Sequence, residues 1–594
     1  MIFPGYQYHT SEHDYNKLYA DSVRDPQSFW SKQEQLYLDN EVNITVNCLD
    51  RHLRCGGGDK LAYIGISEHE ADKTITYQEL LAQVNQLGNY LLSRGVKKGD
   101  TVTLYMPLVI EQVVAMLACA RIGAIHSVVY AGFSAQALST RIAACESKLV
   151  ITADYTYRRG KSIALLPVVR EATSSLAFVK ETIVLCRESS TKLQDHEVDW
   201  QDVLLKQKAY LSPANIAEGD PLFILYTSGT TGEPKGVVHA TRGYNLYTHV
   251  TTHYTFDLQE SDIFWCTADL GWISGHSYVV YGPLSNHATI VIQEGVPDYP
   301  DASAWWKIID DHKVTILYTS PTAIRLLMAY GNEIPTQYNL SSLRLLGSVG
   351  EPLNSAAWEW YSTYVGHNNC AIVDTWWQTE TGGHMLLTLP GLGQKPGCVG
   401  LPFFGIVALI VDSKGNELPV GQKGSLVIRD RWPGTLYTCW HNQSRYEEYW
   451  HTIPPYFVTG DVAVKDEDGY IRVLGRSDDI IIVAGHNISS AELESVLTTH
   501  ASVAEAGVVG VPDPIKGNQI IAFVTLVKGV DGTPAMEVEL INYVGDSYGK
   551  HARPTSIKFV DKLPKTRSGK IMRRVLRAQV LGVDPGDTST MESS

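Results

Sequence analysis

Two kinds of hydrophobic pattern alternate along the first 477 positions of the chain. The first is helical. Thr76 and Glu79 have the spacing of a capping box, and the apolar residues after them repeat on one helical face (Leu80, Val84, Leu87 and Leu91). Gly95 then has the position of a helix stop. We therefore predict a helix that begins after Thr76 and ends before Gly95.

The second pattern is a short apolar run typical of a buried strand. Such runs lie between the helical segments at residues 101–106, 125–130, 148–154, 222–225 and 343–346. Pro107 is expected to open another helix. Strands that alternate with helices predict parallel sheets covered by helices. The expected fold class is α/β, with a large N-terminal domain of several βα-layered subdomains.

Beyond residue 477 the pattern indicates a second, smaller α+β domain. Ser489 and Glu492 have capping-box spacing, and strand-like runs occupy residues 480–483, 508–511 and 519–527. We therefore predict an N-terminal domain over residues 1–477, with an extension over 1–70, and a C-terminal domain over 478–594. The tail after Gly582 has a composition typical of disorder.

Composition narrows the class of protein. The chain is 44% hydrophobic and 19% charged, which is typical of a soluble globular protein, and its net charge is −15. An acidic balance argues against nucleic-acid and anionic-membrane partners, so an anionic ligand needs a local positive site. Nine cysteines without a CxxC pair favour reduced thiols, and no signal-peptide pattern opens the chain. We predict a cytoplasmic protein.

Glycines and hydroxyl residues are concentrated directly after the apolar run at 222–225. The segment offers backbone N–H groups, hydroxyl donors and one cation, which suits a polyphosphate: Thr227, Ser228, Gly229, Thr230, Thr231, Gly232 and Lys235. The spacing is not that of the common P-loop. Composition alone leaves phosphate binding and an ordinary turn equally open.

The whole segment, residues 226–237, resembles the phosphate loop of the acyl-adenylate-forming enzymes, which include acyl-CoA synthetases, luciferases and peptide-synthetase adenylation domains. Three further segments are similar to the acetyl-CoA synthetase branch: residues 15–30, 265–278 and 373–383. Residues 563–574 are nearly identical to the C-terminal signature of acyl-CoA synthetases. Together the motifs span residues 8 to 577, nearly the whole chain.

The resemblance implies roles for individual residues at a nucleotide site. Lys570, Thr379 and Arg476 are the expected catalytic residues, and Glu380 is the expected ligand of Mg²⁺. The ATP and AMP contacts are expected from the phosphate loop, from these catalytic residues and from Gly350, Glu351, Pro352, Asp374, Thr375, Trp376, Gln378 and Asp461.

The resemblance also implies an acyl pocket, a coenzyme A site and a hinge. Ile273, Ser274, Val349 and Trp377 are expected to line the acyl pocket; Ile273 and Ser274 stand where that branch usually has Val and Thr. Coenzyme A is expected at Arg158, Lys161, Ala484 and Gly485. Without the resemblance, Arg158 and Lys161 read as a solvated basic loop. Asn487, close to Ala484 and Gly485, stands at a position where the family frequently has Arg. Asp478 matches the hinge of a mobile C-terminal domain.

The implied function is that of an AMP-forming acetate–CoA ligase. Such an enzyme activates acetate with ATP and Mg²⁺ to acetyl-AMP and pyrophosphate, then transfers the acetyl group to coenzyme A. The alternatives are propionate or another short acid as preferred substrate, since Ser274 is smaller than Thr, a different acyl acceptor, and an interaction protein that uses the basic segment 563–574. The expected partners are small molecules, together with a lysine acetyltransferase or deacetylase acting on Lys570, and neither nucleic acid nor membrane.

Overall fold

The computed structural model describes residues 8, 10–228, 234–483, 486–513, 517–566, 569–586, 588 and 591. Helices form the N-terminal extension, as predicted, at Glu12–Arg24, Pro26–Tyr37 and Arg51–Arg54. The extension is packed onto the main body, because the Tyr15 hydroxyl donates to the Pro402 carbonyl (2.8 Å) and Gly405 N donates to Ser22 (2.7 Å). None of the helices in the described ranges has the length and apolar content needed to cross a bilayer.

A large mixed sheet forms the first layer of the described chain. Its six central strands run parallel, and short antiparallel strands lie at both edges. In spatial order the strands are Leu401–Pro402, Leu386–Leu387, Ala371–Trp376, Leu345–Val349, Ile316–Thr319, Ile263–Cys266, Thr289–Glu294, Leu61–Ser67 and Lys73–Thr76.

A second mixed sheet lies beside it, and six of its strands are parallel to their neighbours. In spatial order the strands that the structure describes are Thr438–Cys439, Pro234–Ala240, Pro221–Ser228, Ile125–Val128, Thr101–Tyr105, Leu149–Ala153, Glu181–Leu185 and Glu197–Asp199. The strand Pro221–Ser228 pairs antiparallel with Pro234–Ala240, so the two limbs of the phosphate-loop segment lie side by side.

Helices cover both sheets, as the βα pattern predicted. They span Tyr77–Ser93, Ile110–Ile122, Ala135–Cys145, Leu166–Thr173, Trp200–Leu205, Thr241–Thr255, Ile273–Gly275, Gly282–Ser285, Ala304–His312, Pro321–Met328, Ser355–Trp360 and Gln443–His451. The capping box of Thr76 and Glu79 is present, and Gly95 follows the helix with φ +83°. The helix expected to open at Pro107 begins instead at Ile110, after an extended Val109.

Smaller sheets complete the described chain. An antiparallel sheet joins Ala408–Val411, Gly424–Ile428, Phe457–Lys465 and Ile471–Arg476. The C-terminal part has strands Ile480–Val483, His486–Ser489, Val503–Asp513, Gly517–Leu526 and Ser556–Phe559 and helices Ser490–Thr498, Pro534–Ser547 and Arg573–Leu581. It has an apolar cluster of its own, centred on Leu493, Val508 and Val524. The predicted fold class is therefore confirmed.

Candidate active site

The candidate site begins at the carboxyl ends of two neighbouring parallel strands, Leu345–Val349 and Ala371–Trp376. Ser348 is in register with Asp374, and Val349 with Thr375. Gly350 has φ +98°, and a Cβ added there would meet no atom within 4 Å. Because open parallel sheets bind ligands at this edge, the strand ends bring the expected adenine contacts to a ligand-competent position.

Asp374 is a carboxyl group buried beneath that edge. Its burial raises the pKa to about 8, so the carboxyl is largely protonated at neutral pH. Asp374 Oδ1 has no hydrogen-bond partner among the described residues. This buried oxygen is therefore an unsatisfied polar atom beneath the expected nucleotide site. Thr375, by contrast, is used internally, because its hydroxyl donates to the Ser348 carbonyl (2.8 Å) and contacts the Tyr318 hydroxyl (2.7 Å).

Glu351 is fixed by a helix that the sequence motifs did not point to. Arg325, on Pro321–Met328, donates to Glu351 Oε2 (3.0 Å), and the Thr322 hydroxyl donates to Oε1. Burial opposes ionisation of Glu351, but the Arg325 charge keeps the pKa of the carboxyl below its usual value. The adjacent Pro352 is exposed.

The most tightly bonded charges of the site are Lys235 and Glu380. Lys235 Nζ lies 2.5 Å from Glu380 Oε1, and both side chains are mostly buried. The Tyr449 hydroxyl accepts from Lys235 and donates to the same Glu380 oxygen (2.6 Å). Burial opposes ionisation of Glu380, but the Lys235 charge holds the pKa of the carboxyl at about 2. Glu380 is therefore a permanent anion at neutral pH.

The donors around Glu380 suit a magnesium ion. The two side-chain donors described, Lys235 and Tyr449, both reach Oε1. Mg²⁺ is typically held by one or two carboxylates together with substrate phosphates and water. In the described part of the chain no group of three or more His, Cys, Asp and Glu residues could form an all-protein metal cage. Glu380 is a single carboxylate beside Lys235, the expected phosphate-binding cation, and this arrangement fits Mg²⁺ better than a dedicated cage would.

Thr379 and Glu380 belong to one 3-10 turn, Thr379–Thr381, that is bonded on several sides. His239 Nε2 donates to the Thr379 carbonyl (2.7 Å), and Leu436 N donates to the Glu380 carbonyl (2.9 Å). Gln378, at the start of the turn, donates to Asp461 Oδ2 (2.7 Å). The turn therefore connects Glu380, the expected Mg²⁺ ligand, to Asp461, one of the expected nucleotide contacts.

Asp461 and Arg476 face each other across two antiparallel strands. Arg476 Nη1 donates to the Thr459 carbonyl (3.0 Å) and lies 3.9 Å from Asp461 Oδ2. Burial raises the pKa of Asp461 to about 6, although the charges of Arg476 and Lys570 oppose the rise. Gly460 lies between them in a left-handed conformation (φ +75°), and a Cβ there would lie 2.7 Å from Arg476 Nη2, so a larger residue would displace this guanidinium.

Trp377, one of the expected acyl-pocket residues, packs into an aromatic cluster. Trp377 packs edge-on against Tyr278 (ring centroids 5.0 Å apart) and against His384 (5.6 Å). His384 is bonded through both ring nitrogens, to Thr255 (2.8 Å) and to Tyr318 (3.0 Å). Ile273 and Val349 are buried in the same apolar cluster, and Ser274 is half-buried. Trp377 is thus held rigidly by its neighbours.

Lys570 approaches the site from the C-terminal part. The Thr566 N–H donates to the Lys570 carbonyl (2.7 Å), which closes a tight loop. Gly569 packs on Thr322, where an added Cβ would lie 2.4 Å from Thr322 Cγ2. The Lys570 side chain is exposed, yet its charge lowers the pKa of Asp461. The loop of Lys570 therefore contacts Thr322, whose hydroxyl donates to Glu351.

Arg158 and Lys161 stand on a separate hairpin of strands Tyr155–Arg158 and Lys161–Ala164. Arg158 Nη1 donates to the Tyr130 hydroxyl (3.2 Å), and Lys161 is exposed. Burial raises the pKa of Asp269 to about 6, and the Arg158 charge opposes this rise. Asp269 lies just before the acyl-pocket residue Ile273, so the hairpin lies close to the acyl-pocket wall.

Some predicted residues lie outside the described part of the chain: Gly229, Thr230, Thr231, Gly232, Ala484 and Gly485. Ser228 ends the described strand before the phosphate loop, and the backbone of Asp478 lies in a 3-10 turn, Ser477–Asp479. The sequence motifs did not point to Tyr449, His239, Arg325 or His384. Each acts on a motif residue from another element, so spacing along the chain carries no signal for them.

Sequence comparison places this geometry among known proteins. The profile of AMP-binding enzymes matches residues 49–438, and the profile of the AMP-binding enzyme C-terminal domain matches residues 492–570. The chain belongs to the AMP-binding enzyme family. Within that family it is 47% identical to an acetyl-coenzyme A synthetase of Deinococcus radiodurans, over 98% of this chain and 93% of that protein. It is 46% identical to the acetyl-coenzyme A synthetase of Rhizobium rhizogenes, over 97% of this chain and 94% of that protein.

A solved structure extends the comparison to the fold of this AMP-binding enzyme. An anthranilate CoA ligase in complex with anthranoyl-AMP superposes with a TM-score of 0.80 at 26% identity, over 90% of this chain and 96% of the ligase. The assignment to the acyl-adenylate-forming family is thereby confirmed.

Proposed function

We propose that this AMP-binding enzyme is an acetate–CoA ligase that forms acetyl-AMP from acetate and Mg·ATP and then acetyl-CoA from acetyl-AMP and coenzyme A. The observation that carries the proposal is the convergence of Asp461, Arg476 and the Lys570 charge on one site next to the Lys235–Glu380 pair. A ribose acceptor, phosphate-binding cations and one metal-binding carboxylate meet there. The full-length similarity to acetyl-coenzyme A synthetases supports acetate as the acid.

In the first half-reaction an acetate oxygen attacks the α-phosphorus of ATP. A new phosphorus–oxygen bond forms while the bond to the pyrophosphate oxygen breaks, and no proton needs to move. Catalysis is then positioning and charge neutralisation. Lys570 and Arg476 would balance the charge on the α-phosphate, and Thr379 would donate to it. A magnesium ion held by Glu380 would supply charge neutralisation for the departing pyrophosphate.

Lys235 would change partners when nucleotide binds. In the free enzyme it neutralises Glu380, which fixes the carboxylate without a metal. When ATP and its cation bind, Lys235 would contact phosphate oxygens and Glu380 would contact the metal ion. A buried carboxylate is thus never left without a positive partner, which would be costly.

In the second half-reaction the coenzyme A sulfur attacks the acyl carbon of acetyl-AMP. The carbon–sulfur bond forms, the bond to the AMP oxygen breaks, and the thiol proton is released. Domain 478–594 rotates about Asp478 relative to domain 1–477, withdraws Lys570 and admits the thiol. The backbone position of Asp478 supports this, because its short turn joins the strand of Arg476 to the first C-terminal strand. Arg158 and Lys161 would hold the 3′-phosphate end of coenzyme A.

The exposure of Lys570 also supports a regulatory role. Acetylation would remove its positive charge and its donors, so a lysine acetyltransferase and a deacetylase would switch adenylation off and on.

The test is isotope exchange between ATP and pyrophosphate in the presence of acids from two to five carbons. Acetate-dependent exchange with coenzyme A consumption is the expected result. Faster exchange with propionate than with acetate would make propionate the preferred acid. The smaller Ser274 would then accommodate its extra methylene. Exchange without coenzyme A consumption would indicate another acyl acceptor. No exchange with any acid would overturn the proposal in favour of an interaction protein.

A further inference from the structure

The basic hairpin at residues 155–164 has a constrained tip. Arg158 and Lys161 are paired in register, so only Arg159 and Gly160 form the turn. Their φ values are +53° and +70°, the left-handed conformation of the two-residue hairpin turn. A Cβ at Gly160 would lie 2.1 Å from the Tyr299 hydroxyl, so glycine is required there. Arg159 carries a side chain, so the left-handed backbone conformation is unfavourable for it and must be stabilised by other contacts.

Arg159 is held in that conformation by a buried carboxylate. Its Nη2 donates to both oxygens of Asp298, at 2.7 and 3.0 Å. The Asp298 side chain is only 3% exposed, and the Tyr330 hydroxyl donates to its Oδ2 (2.8 Å). A charge-assisted pair to a buried, oriented carboxylate is stronger than an ordinary surface ion pair. Asp298 therefore fixes the direction in which the turn projects.

Two more carboxylates hold the same hairpin. The backbone N–H of Gly160 donates to Glu68 (2.9 Å), and that of Tyr157 donates to Glu294 (3.0 Å). Glu294 is itself neutralised by Arg187, with both guanidinium contacts at 2.7 Å. The acidic groups around the hairpin thus bond its backbone and Arg159, whereas Lys161 extends into solvent.

The hairpin is also connected to the acyl pocket. Arg158 donates to the Tyr130 hydroxyl, and the Tyr130 ring packs 6.0 Å from the Trp272 ring. Trp272 directly precedes the pocket residues Ile273 and Ser274. A long anionic substrate anchored at the hairpin would therefore lead towards the acyl group.

We propose that Arg159 and Asp298 are a positioning pair for coenzyme A. The pair fixes the turn between Arg158 and Lys161, so the backbone positions that carry both cations are held at a set spacing before the 3′-phosphate arrives. Arg159 acts through its neighbours and does not contact the ligand. A hairpin backbone fixed in this way binds an anion better than a mobile one, because less backbone freedom is lost on binding. The inference rests on the proposed coenzyme A site.

The test compares coenzyme A with 3′-dephospho-coenzyme A as acceptors in Arg159→Gly and Asp298→Asn. Arg159→Gly removes the ion pair but relaxes the left-handed turn, so it separates charge from backbone strain. We expect KM for coenzyme A to rise about tenfold in both variants, with kcat nearly unchanged. KM for 3′-dephospho-coenzyme A should change little. The ratio of the KM values for the dephospho form and for coenzyme A should therefore fall. ATP–pyrophosphate exchange should be unaffected.

Two controls sharpen the result. Asp311→Asn removes an equivalent charge from an exposed helical ion pair and should leave both KM values unchanged. Arg158→Ala removes a proposed phosphate contact directly. In the double variant with Arg159→Gly, KM for coenzyme A should rise by less than the product of the two single-variant increases.

The outcomes separate this inference from the function on which it rests. Unchanged KM values in Arg159→Gly, or an equal rise for both acceptors, overturn the positioning pair if Arg158→Ala still weakens coenzyme A selectively. If Arg158→Ala has no selective effect in an enzyme with normal exchange, the coenzyme A site lies elsewhere and the pair has no phosphate to position. A parent enzyme without acetate-dependent exchange contradicts the proposed function instead.

Discussion

The two halves of the candidate site are held in place very differently. Glu380 is mostly buried and bonded to Lys235 and Tyr449, and Asp461 is bonded to Gln378. Lys570 is exposed, and its loop is closed by local bonds to Thr566. Among the described residues of this loop, Gly569 contacts the large part through the Thr322 hydroxyl, which donates to its carbonyl (3.5 Å). Glu380 and Asp461 form the built-in half of the site, which is fixed by tertiary contacts of the large part. Lys570 forms the movable half, which the C-terminal part supplies.

This difference matches the demands of a two-step reaction. Phosphate and metal must be oriented from the start, which requires fixed, preorganised groups. A group needed in one step and obstructive in the next must be easy to withdraw, which requires few contacts. The fixed groups and the movable group should therefore respond differently to substitution.

Glu380→Gln should damage the built-in half most severely. The amide keeps the shape of the side chain but removes the anion that pairs with Lys235 and would hold Mg²⁺. We expect ATP–pyrophosphate exchange to fall about a thousandfold, at the upper end of what loss of one electrostatic contact causes. Glu359→Gln, on the exposed face of the helix Ser355–Trp360, is the matched control. Exchange within tenfold of the parent would show that Glu380 is not the metal-binding carboxylate.

Asp478→Pro should uncouple the two halves. Proline fixes φ near −65° and so blocks a backbone rotation at this position. We expect the complete reaction to slow about a hundredfold while one of the two half-reactions keeps its rate. Asp478→Ala, which leaves the backbone free to rotate, should retain coupled turnover. If the proline variant turns over at the parent rate, the hinge is at another residue.

Trp377→Gly should change the preferred acid. Attraction cannot select acetate, because each extra buried methylene contributes about 0.8 kcal/mol in favour of longer acids, so rejection must be steric. We expect kcat/KM to favour butyrate over acetate by about tenfold once the indole is removed. Ser274→Thr should act oppositely and reduce the activity with propionate. The same ranking of C2 to C6 acids in the Trp377→Gly enzyme would mean that another group bounds the pocket.

Asp374→Asn should have the smallest effect, and it should depend on pH. The pKa of Asp374 is raised by burial to about 8 in the fold, above its unfolded value of 3.8. The stability it contributes is therefore complete below pH 3.8 and is lost as the pH rises through about 8. A neutral amide avoids this loss. The unfolding temperature of the ligand-free variant should fall less between pH 6 and pH 9 than that of the parent, by about 2 °C. Equal slopes in calorimetry would contradict the raised pKa.

The sequence predicted the fold and the site to different depths. The βα order, the capping box at Thr76 and the C-terminal α+β part follow from local periodicity, and the structure confirms them. The helix after Pro107 begins three residues later because Val109 is extended. Local rules describe which element forms, but the exact end depends on packing against other elements.

The site residues show where motif reading ends. Glu380 and Asp461 stand in recognisable segments, whereas Tyr449 lies on a helix, Gln443–His451, without a motif of its own. Its role comes from contact with Lys235 and Glu380, residues 214 and 69 positions away. Asp298 is similarly distant from Arg159. Such partners are set by tertiary packing, which no spacing pattern records.

The central claim is that Lys570 belongs to one half of the site and serves one half of the reaction. The most direct measurement is the ratio of two rates in Lys570→Ala, namely acetate-dependent ATP–pyrophosphate exchange and acetyl-CoA formation from supplied acetyl-AMP. We predict that exchange falls at least about a thousandfold, because the α-phosphate loses its movable cation, while thioester formation stays close to the parent rate. An equal loss of both rates would contradict the account, since Lys570 would then be part of the fixed half of the site.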